Sequence, residues 1–162
     1  MSSRRRVGAA AAVVVVIILA VGDVLLMKEV SDRRDESAAR HDALKAAQRM
    51  VPELLSYDHL SLSADLTRAR NTTTGKFRHD FDTLVDEVVR PAAARRNVST
   101  TAVVSGAGVM SSTGSGRVTI LVLVTQTSTS SAEKSPVVST SRVKVLMAKS
   151  SGRWLIAGLD PV

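Results

Sequence analysis

Few residues in this chain have the type and spacing that chemistry requires. The histidines are His41, His59 and His79, and no two are spaced as metal ligands on a shared helix turn or set in a His-Glu-x-x-His pattern. There is no cysteine, which removes a thiolate metal site, a cysteine nucleophile and a disulfide framework together. Asp80 and Asp82 would point about 200° apart on a helix and cannot share a proton. Asp82 and Asp86 can share a face, but Arg78 and Arg90 flank them at four-residue steps, the pattern of a solvated helix surface. No Gly-x-Ser-x-Gly elbow presents a serine. Thr113-Gly114-Ser115-Gly116 lies between two strand patterns, without the helix start that cradles a phosphate. Tyr57-Asp58 reads as the fastening of a helix connection, not as a proton relay. Trp154 reads as core, with an indole N–H that needs a neighbour. No catalytic, cofactor or metal residue is assigned, no cofactor is called for, and the chain is expected not to be an enzyme.

The elements that would position these residues come in two blocks. Ala39, Ala43, Ala47, Val51 and Leu54 recur at three- and four-residue steps, as on one helix face. Pro52 removes the bond to the Gln48 carbonyl, which predicts a kink or stop near Met50. A second helix follows, capped by Ser61 or Ser63, with Leu62, Leu66 and Ala69 inward. Thr72-Thr73-Thr74-Gly75 makes a turn and offers cap hydroxyls to a third helix. Its stripe is Phe77, Phe81, Leu84, Val85, Val88 and Val89, and Pro91 ends or bends it.

Past Asn97 the period changes from 3.6 to 2. Val98 to Met110 reads as a strand with a bulge at Gly106 and Gly108, and Ser111 to Gly116 as a hairpin loop. Arg117 to Ser128 puts Val118, Ile120, Val122 and Val124 on one face, and Thr119, Leu121, Leu123 and Thr125 on the other. Val137 to Lys149 and Arg153 to Leu159 supply two more strands, joined at Ser150-Ser151-Gly152. About three helices packed on one face of a four-stranded antiparallel sheet make an α+β domain. The sheet's other face, with its Thr, Ser and basic residues, suits solvent or a partner.

Charge narrows the partners. The chain of 162 residues carries a net +7, but Arg4, Arg5 and Arg6 hold three of its 22 basic residues. The remaining bases alternate with acids along helices, and Tyr57, Phe77, Phe81 and Trp154 are the only aromatics. Nucleic acid, which demands a concentrated basic face or stacking platforms, is disfavoured. Val7 to Met27 is apolar apart from Asp23. As a helix of about 1.5 Å per residue it would be roughly 32 Å long, near the hydrocarbon thickness of a bilayer. Arg4, Arg5 and Arg6 precede it and no matching cluster follows, so the positive-inside rule puts the N-terminus in the cytoplasm. The expected organisation is a cytoplasmic basic tail at 1–6, a transmembrane helix at 7–27 and a charged stalk at 28–37. An extracytoplasmic domain at 38–162 follows, held at the plasma membrane by the single pass. Ala20-Val21-Gly22 leaves open cleavage of the anchor after Gly22, which exports the domain equally.

Four stretches carry a family resemblance: VPELLSYDHLSLSADLTRARNTTTGKFRHDF at 51–81, LVDEVVRPAAARRNV at 84–98, RVTILVLVTQTSTS at 117–130 and GRWLIAGLDPV at 152–162. Its most specific parts are Leu54-Leu55-Ser56-Tyr57-Asp58, the Thr74-Gly75-x-Phe77 turn with Phe81, and Gly152-Arg153-Trp154. The chain resembles the actinobacterial Mce-associated ("mammalian cell entry") membrane proteins over nearly its whole length, departing at His59, where an aromatic is expected. The resemblance implies a cystatin-like cone of helices on a curved sheet, as in nuclear transport factor two and the periplasmic subunits of type IV secretion. It further implies an accessory or assembly role in envelope lipid-import complexes, with other envelope transporter proteins and the bilayer as partners.

Two other functions follow from such a shape. A lipid or small-molecule binding module would enclose a cavity of roughly 300–1,000 Å³ bounded by Phe77, Phe81, Leu84 and sheet valines. An isomerase of the ketosteroid type would require a carboxylate inside the cone with a raised pKa. The acids of the third helix are expected on its wet side.

Overall fold

The computed structural model describes residues 33–162. The Arg4–Arg6 cluster, the apolar run at 7–27 and the first part of the stalk lie outside the described residues. Among those described, no helix is long and apolar enough to cross a membrane. The chain divides into two units at Ser37. Residues 33–37 of the first are helical, and the second is Ala38–Val162.

In the larger unit, helix α1 covers residues 38–55, followed by α2 (Leu62–Asn71) and α3 (Gly75–Leu84). A π-helical turn (Val85–Val89) leads into α4 (Arg90–Arg96). The strands are β1 (Ser99–Thr113), β2 (Arg117–Thr129), β3 (Val137–Ser150) and β4 (Arg153–Pro161), antiparallel throughout in the order β1-β2-β3-β4. The expected α+β arrangement, helices beside a four-stranded meander, is what the chain forms.

Alternation in β2 decides which sheet face is covered. Val118, Ile120, Val122 and Val124 are all fully buried and stand opposite Met147, Val145, Val143 and Ser141 of β3. Against this face pack Ala43, Ala47 and Val51 of α1, Leu66 and Ala69 of α2, and Phe81 of α3. Alanines at the contact let the α1 backbone approach the sheet closely.

Neither helical proline ends its helix. Pro52 neither stops nor interrupts α1, which stays helical through residue 55. An interior proline costs about 3 kcal/mol. Val51 and Leu54, 0% and 6% exposed, recover about 1.5–3 kcal/mol each by burial beside it. Pro91 does not end the third helix either. It sits in the first turn of α4, where a missing N–H is harmless, directly after the π turn in which the Arg90 N–H reaches the Val85 carbonyl. That wider turn also corrects the predicted stripe. In an α-helix four-residue steps drift by about 40° each. The π turn absorbs the drift, so Phe81, Val85 and Ala93 are buried with Val89 half-buried between them, while Leu84 and Val88 turn outward and are exposed.

β1 is longer than predicted. Ser111, Ser112 and Thr113 pair with Thr119, Val118 and Arg117, which shortens the loop to the turn at Gly114–Gly116. A bulge lies between Val104 and Gly106 as the glycines suggested, and a second between Val109 and Ser111. The β3–β4 connection is a tight turn with positive φ at both Ser151 and Gly152.

Candidate functional site

Tyr57 and Asp58 sit in the connection from α1 to α2 and bind it to the first residues of β1. Tyr57 and Thr100 exchange two backbone hydrogen bonds of 2.9 and 2.8 Å, and the Ser56 hydroxyl accepts the Ala102 N–H at 2.9 Å. Asp58 Oδ1 accepts the Leu60 N–H at 2.9 Å and the Ser99 hydroxyl at 3.2 Å. His59 is therefore not a free surface group. Its Nδ1 lies 2.9 Å from Ser99 Oγ and 3.3 Å from Asp58 Oδ1. A nucleophile relay needs serine and carboxylate on opposite ring nitrogens. Here both meet the same nitrogen.

The residue that organises this corner is Asp65, which the sequence reading passed over. It is buried on α2, where Oδ2 accepts the Asp58 N–H at 2.9 Å and the Ser61 hydroxyl at 2.7 Å, and Oδ1 pairs with Arg68. The Asp58 N–H first, then the Ser61 hydroxyl, hold its carboxyl below the usual carboxylate value, against an opposing push from burial. The signal was present: Asp65 follows Leu62 by three and precedes Ala69 by four, which puts it on the inward stripe.

Gly75 opens α3 with φ +60°, and a Cβ there would meet nothing within 4 Å, so the requirement is for the left-handed backbone and not for space. The threonines before it do not cap α3 as expected. The Thr72 and Thr73 hydroxyls donate back to the Ala69 and Arg70 carbonyls at 2.7 Å, closing α2. Between them the chain adds to β4: the Ile156 N–H donates to the Thr72 carbonyl at 2.8 Å, and the Thr74 N–H to the Ile156 carbonyl at 2.9 Å. Phe77 is half-buried and Phe81 is buried beneath it. The predicted Arg78–Asp82 pair is replaced by partners on other elements. Arg78 donates to the Thr73 carbonyl and Asp82 pairs with Arg70 at 2.7 Å, while Arg90–Asp86 forms at 3.0 Å. Trp154 is buried in the core of the unit, but its indole N–H has no hydrogen-bond partner there.

The cavity between helices and sheet is about 230 Å³, walled by Leu54, Leu66, Phe81 and Leu84 and bordered by Gln126 and Ser128. It lacks Phe77 and the sheet valines, because those valines are covered by α1. Among the described residues no group of three or more His, Asp or Glu could hold a metal ion.

The other unusual surface is the outer edge of β1. Its 15 residues, STTAVVSGAGVMSST, contain neither a charge nor a proline. Edge strands are ordinarily blunted by such residues. Tyr57 and Ser56 close the edge at Thr100 and Ala102. Beyond them, among the described residues, no backbone partner reaches it from outside the sheet up to Met110. Val103, Val109 and Met110 are 59%, 36% and 55% exposed along it.

The family described as "Uncharacterized protein Rv1363c/MT1408-like" matches residues 5–160 of this chain. The chain belongs to that family. As a member of the Rv1363c/MT1408-like family it is 34% identical over 129 residues to "Outer membrane protein Rv1973" of Mycobacterium tuberculosis, covering 80% of this chain and 79% of that one. The fold is shared with solved structures of low identity. An IcmL-like type IV secretion system protein from Legionella pneumophila is 9% identical, with a TM-score of 0.62 over 76% of this chain and 91% of that one. The periplasmic domain of DotI is 12% identical, with a TM-score of 0.61 over 74% and 91%.

Proposed function

We propose that the protein is a non-catalytic assembly subunit of the cell envelope, anchored by residues 7–27 with its N-terminus in the cytoplasm, which serves a Mce-type lipid-import system. The observation that carries this reading is the uncharged outer edge of β1, which past Ala102 and up to Met110 has no backbone partner among the described residues and offers a template for an extended partner strand. The outer-membrane name of Rv1973 and the periplasmic and secretion-system names of the structural neighbours support an envelope setting. The Arg4–Arg6 cluster supports the orientation. The cystatin-like cone implied by the resemblance fits helices on one face of a four-stranded sheet. Against an isomerase, the one buried carboxylate of the unit has a lowered pKa and is fully engaged by Asp58, Ser61 and Arg68. Against a module that encloses its ligand between helices and sheet, the cavity there, about 230 Å³, falls below the usual range of roughly 300–1,000 Å³.

The test is site-specific photo-crosslinking in intact cells. A benzophenone side chain at Val103 or Val109 is expected to capture a Mce-type transporter component, and one at exposed Lys76 of α3 is not. Equal capture from both positions would remove the edge from the argument, and capture of other envelope proteins alone would remove the Mce assignment. A periplasmically active reporter fused to the C-terminus, with retention of the chain in carbonate-washed membranes, checks the anchor.

A further inference from the structure

A second surface, on the side where α1 and α2 meet the start of β4, is built for a different kind of partner. There a groove of about 450 Å³ receives Lys45 and Arg49 from α1, Arg68 from α2 and Arg153 from β4. Arg68 is engaged with Asp65, but Lys45, Arg49 and Arg153 form no ion pair among the described residues. This is notable on α1, because Glu53 stands four residues after Arg49 and Asp42 three before Lys45, at the separations where helical ion pairs form. Four cations against those two carboxylates and the Asp65 that engages Arg68 leave a charge of +1.

Trp154 lines the same groove and is 7% exposed. Its Nε1 is the buried side-chain polar atom left without a hydrogen-bond partner among the described residues. That nitrogen is itself closed off from solvent, so the indole can report on the groove but does not donate into it. A groove that offers guanidinium forks and an ammonium in excess of its own carboxylates is matched by an oxyanion.

We propose that this groove is a phosphate-binding site, held by Lys45, Arg49 and Arg153 beside Trp154, and taking the phosphate of a lipid headgroup or inorganic phosphate. The site is distinct from the β1 edge and does not depend on the assembly reading.

Trp154 is the only tryptophan of the chain, so its fluorescence and its single indole N–H resonance report on the site. The full-length protein in maltoside micelles is titrated with sodium phosphate, with sodium chloride at matched ionic strength, and with phosphatidic acid or diacylglycerol mixed into the micelles. A saturable response of the Trp154 signals to phosphate or phosphatidic acid, with none from chloride or diacylglycerol, is the expected result. A response to phosphatidic acid alone assigns the headgroup, and one to inorganic phosphate at equal affinity assigns the free ion. Arg49→Gln and Arg153→Gln should each weaken binding about tenfold or more, as loss of a charge-assisted hydrogen bond does. Lys134→Gln, on the exposed β2–β3 loop, should leave it unchanged, and equal unfolding midpoints show that the variants are folded. No saturable response, a response shared with chloride, or undiminished binding by both arginine variants overturns the site.

Discussion

The corner that joins α1, α2 and β4 and the outer edge of β1 are built from much the same residues, serines, threonines and small apolar side chains. In the corner, the Ser61, Thr72 and Thr73 hydroxyls all donate within the unit, and the chain on each side of α2 has a strand to pair with, Tyr57 with Thr100 of β1 and Thr73 with Ile156 of β4. Past Ala102 and up to Met110 the outer edge of β1 has no backbone partner among the described residues, and Val103 and Met110 stay more than half exposed. Composition does not separate a fastening from a docking edge. What separates them is whether the chain itself supplies the opposite backbone.

Substitutions can break or sharpen that contrast. Ile156, fully buried at the junction with Thr73, should cost most. Ile156→Ala is expected to destabilise by about 2–5 kcal/mol in denaturant unfolding. Asp65→Asn removes the charge that Asp58, Ser61 and Arg68 converge on and should cost about 1–3 kcal/mol. It also changes the pH dependence. Since the folded state lowers the Asp65 pKa, its stabilisation is whole above the ordinary carboxylate value of about 3.9 and is lost as pH falls through the lowered one. Unfolding midpoints measured from pH 6 downward should therefore fall less steeply for Asp65→Asn than for the parent chain. At the edge the expectation reverses. Val103→Lys, at a position 59% exposed, should shift stability by no more than about 0.5 kcal/mol. The same change should abolish strand-mediated capture of a partner. A loss of several kcal/mol there would show that the edge belongs to the fold and not to an interface.

Period-2 and period-3.6 patterns made most of the architecture legible. Val118 to Val124 alternate in sequence and alternate in burial, and the Ala39-Ala43-Ala47-Val51-Leu54 stripe is buried throughout. What the patterns missed was energetic competition between local and tertiary terms. Pro52 signals a break, and the burial of its neighbours outweighs it. Leu84 and Val88 belong to the apolar stripe only if every turn has the same width. The Asp65 corner was obscured because an acid on a helix reads as solvated until its donors are counted, and the unmatched Trp154 N–H is a property of packing that no spacing encodes. The β1 edge lay closer to view: a strand of this length with no charge is visible in the string, but only the strand order shows it to be an edge.

The widened turn at Val85–Val89 bears on length variation. A π turn is a helix holding one residue more than its ladder needs. Deleting that residue would restore an ordinary helix without moving Phe81 or Ala93 off the sheet side, whereas a deletion within α3 ahead of Phe81 would swing everything beyond it by about 100°. Single-residue gaps between related chains should accordingly gather at this turn, and a shortened variant there should stay folded where its neighbour a turn earlier does not.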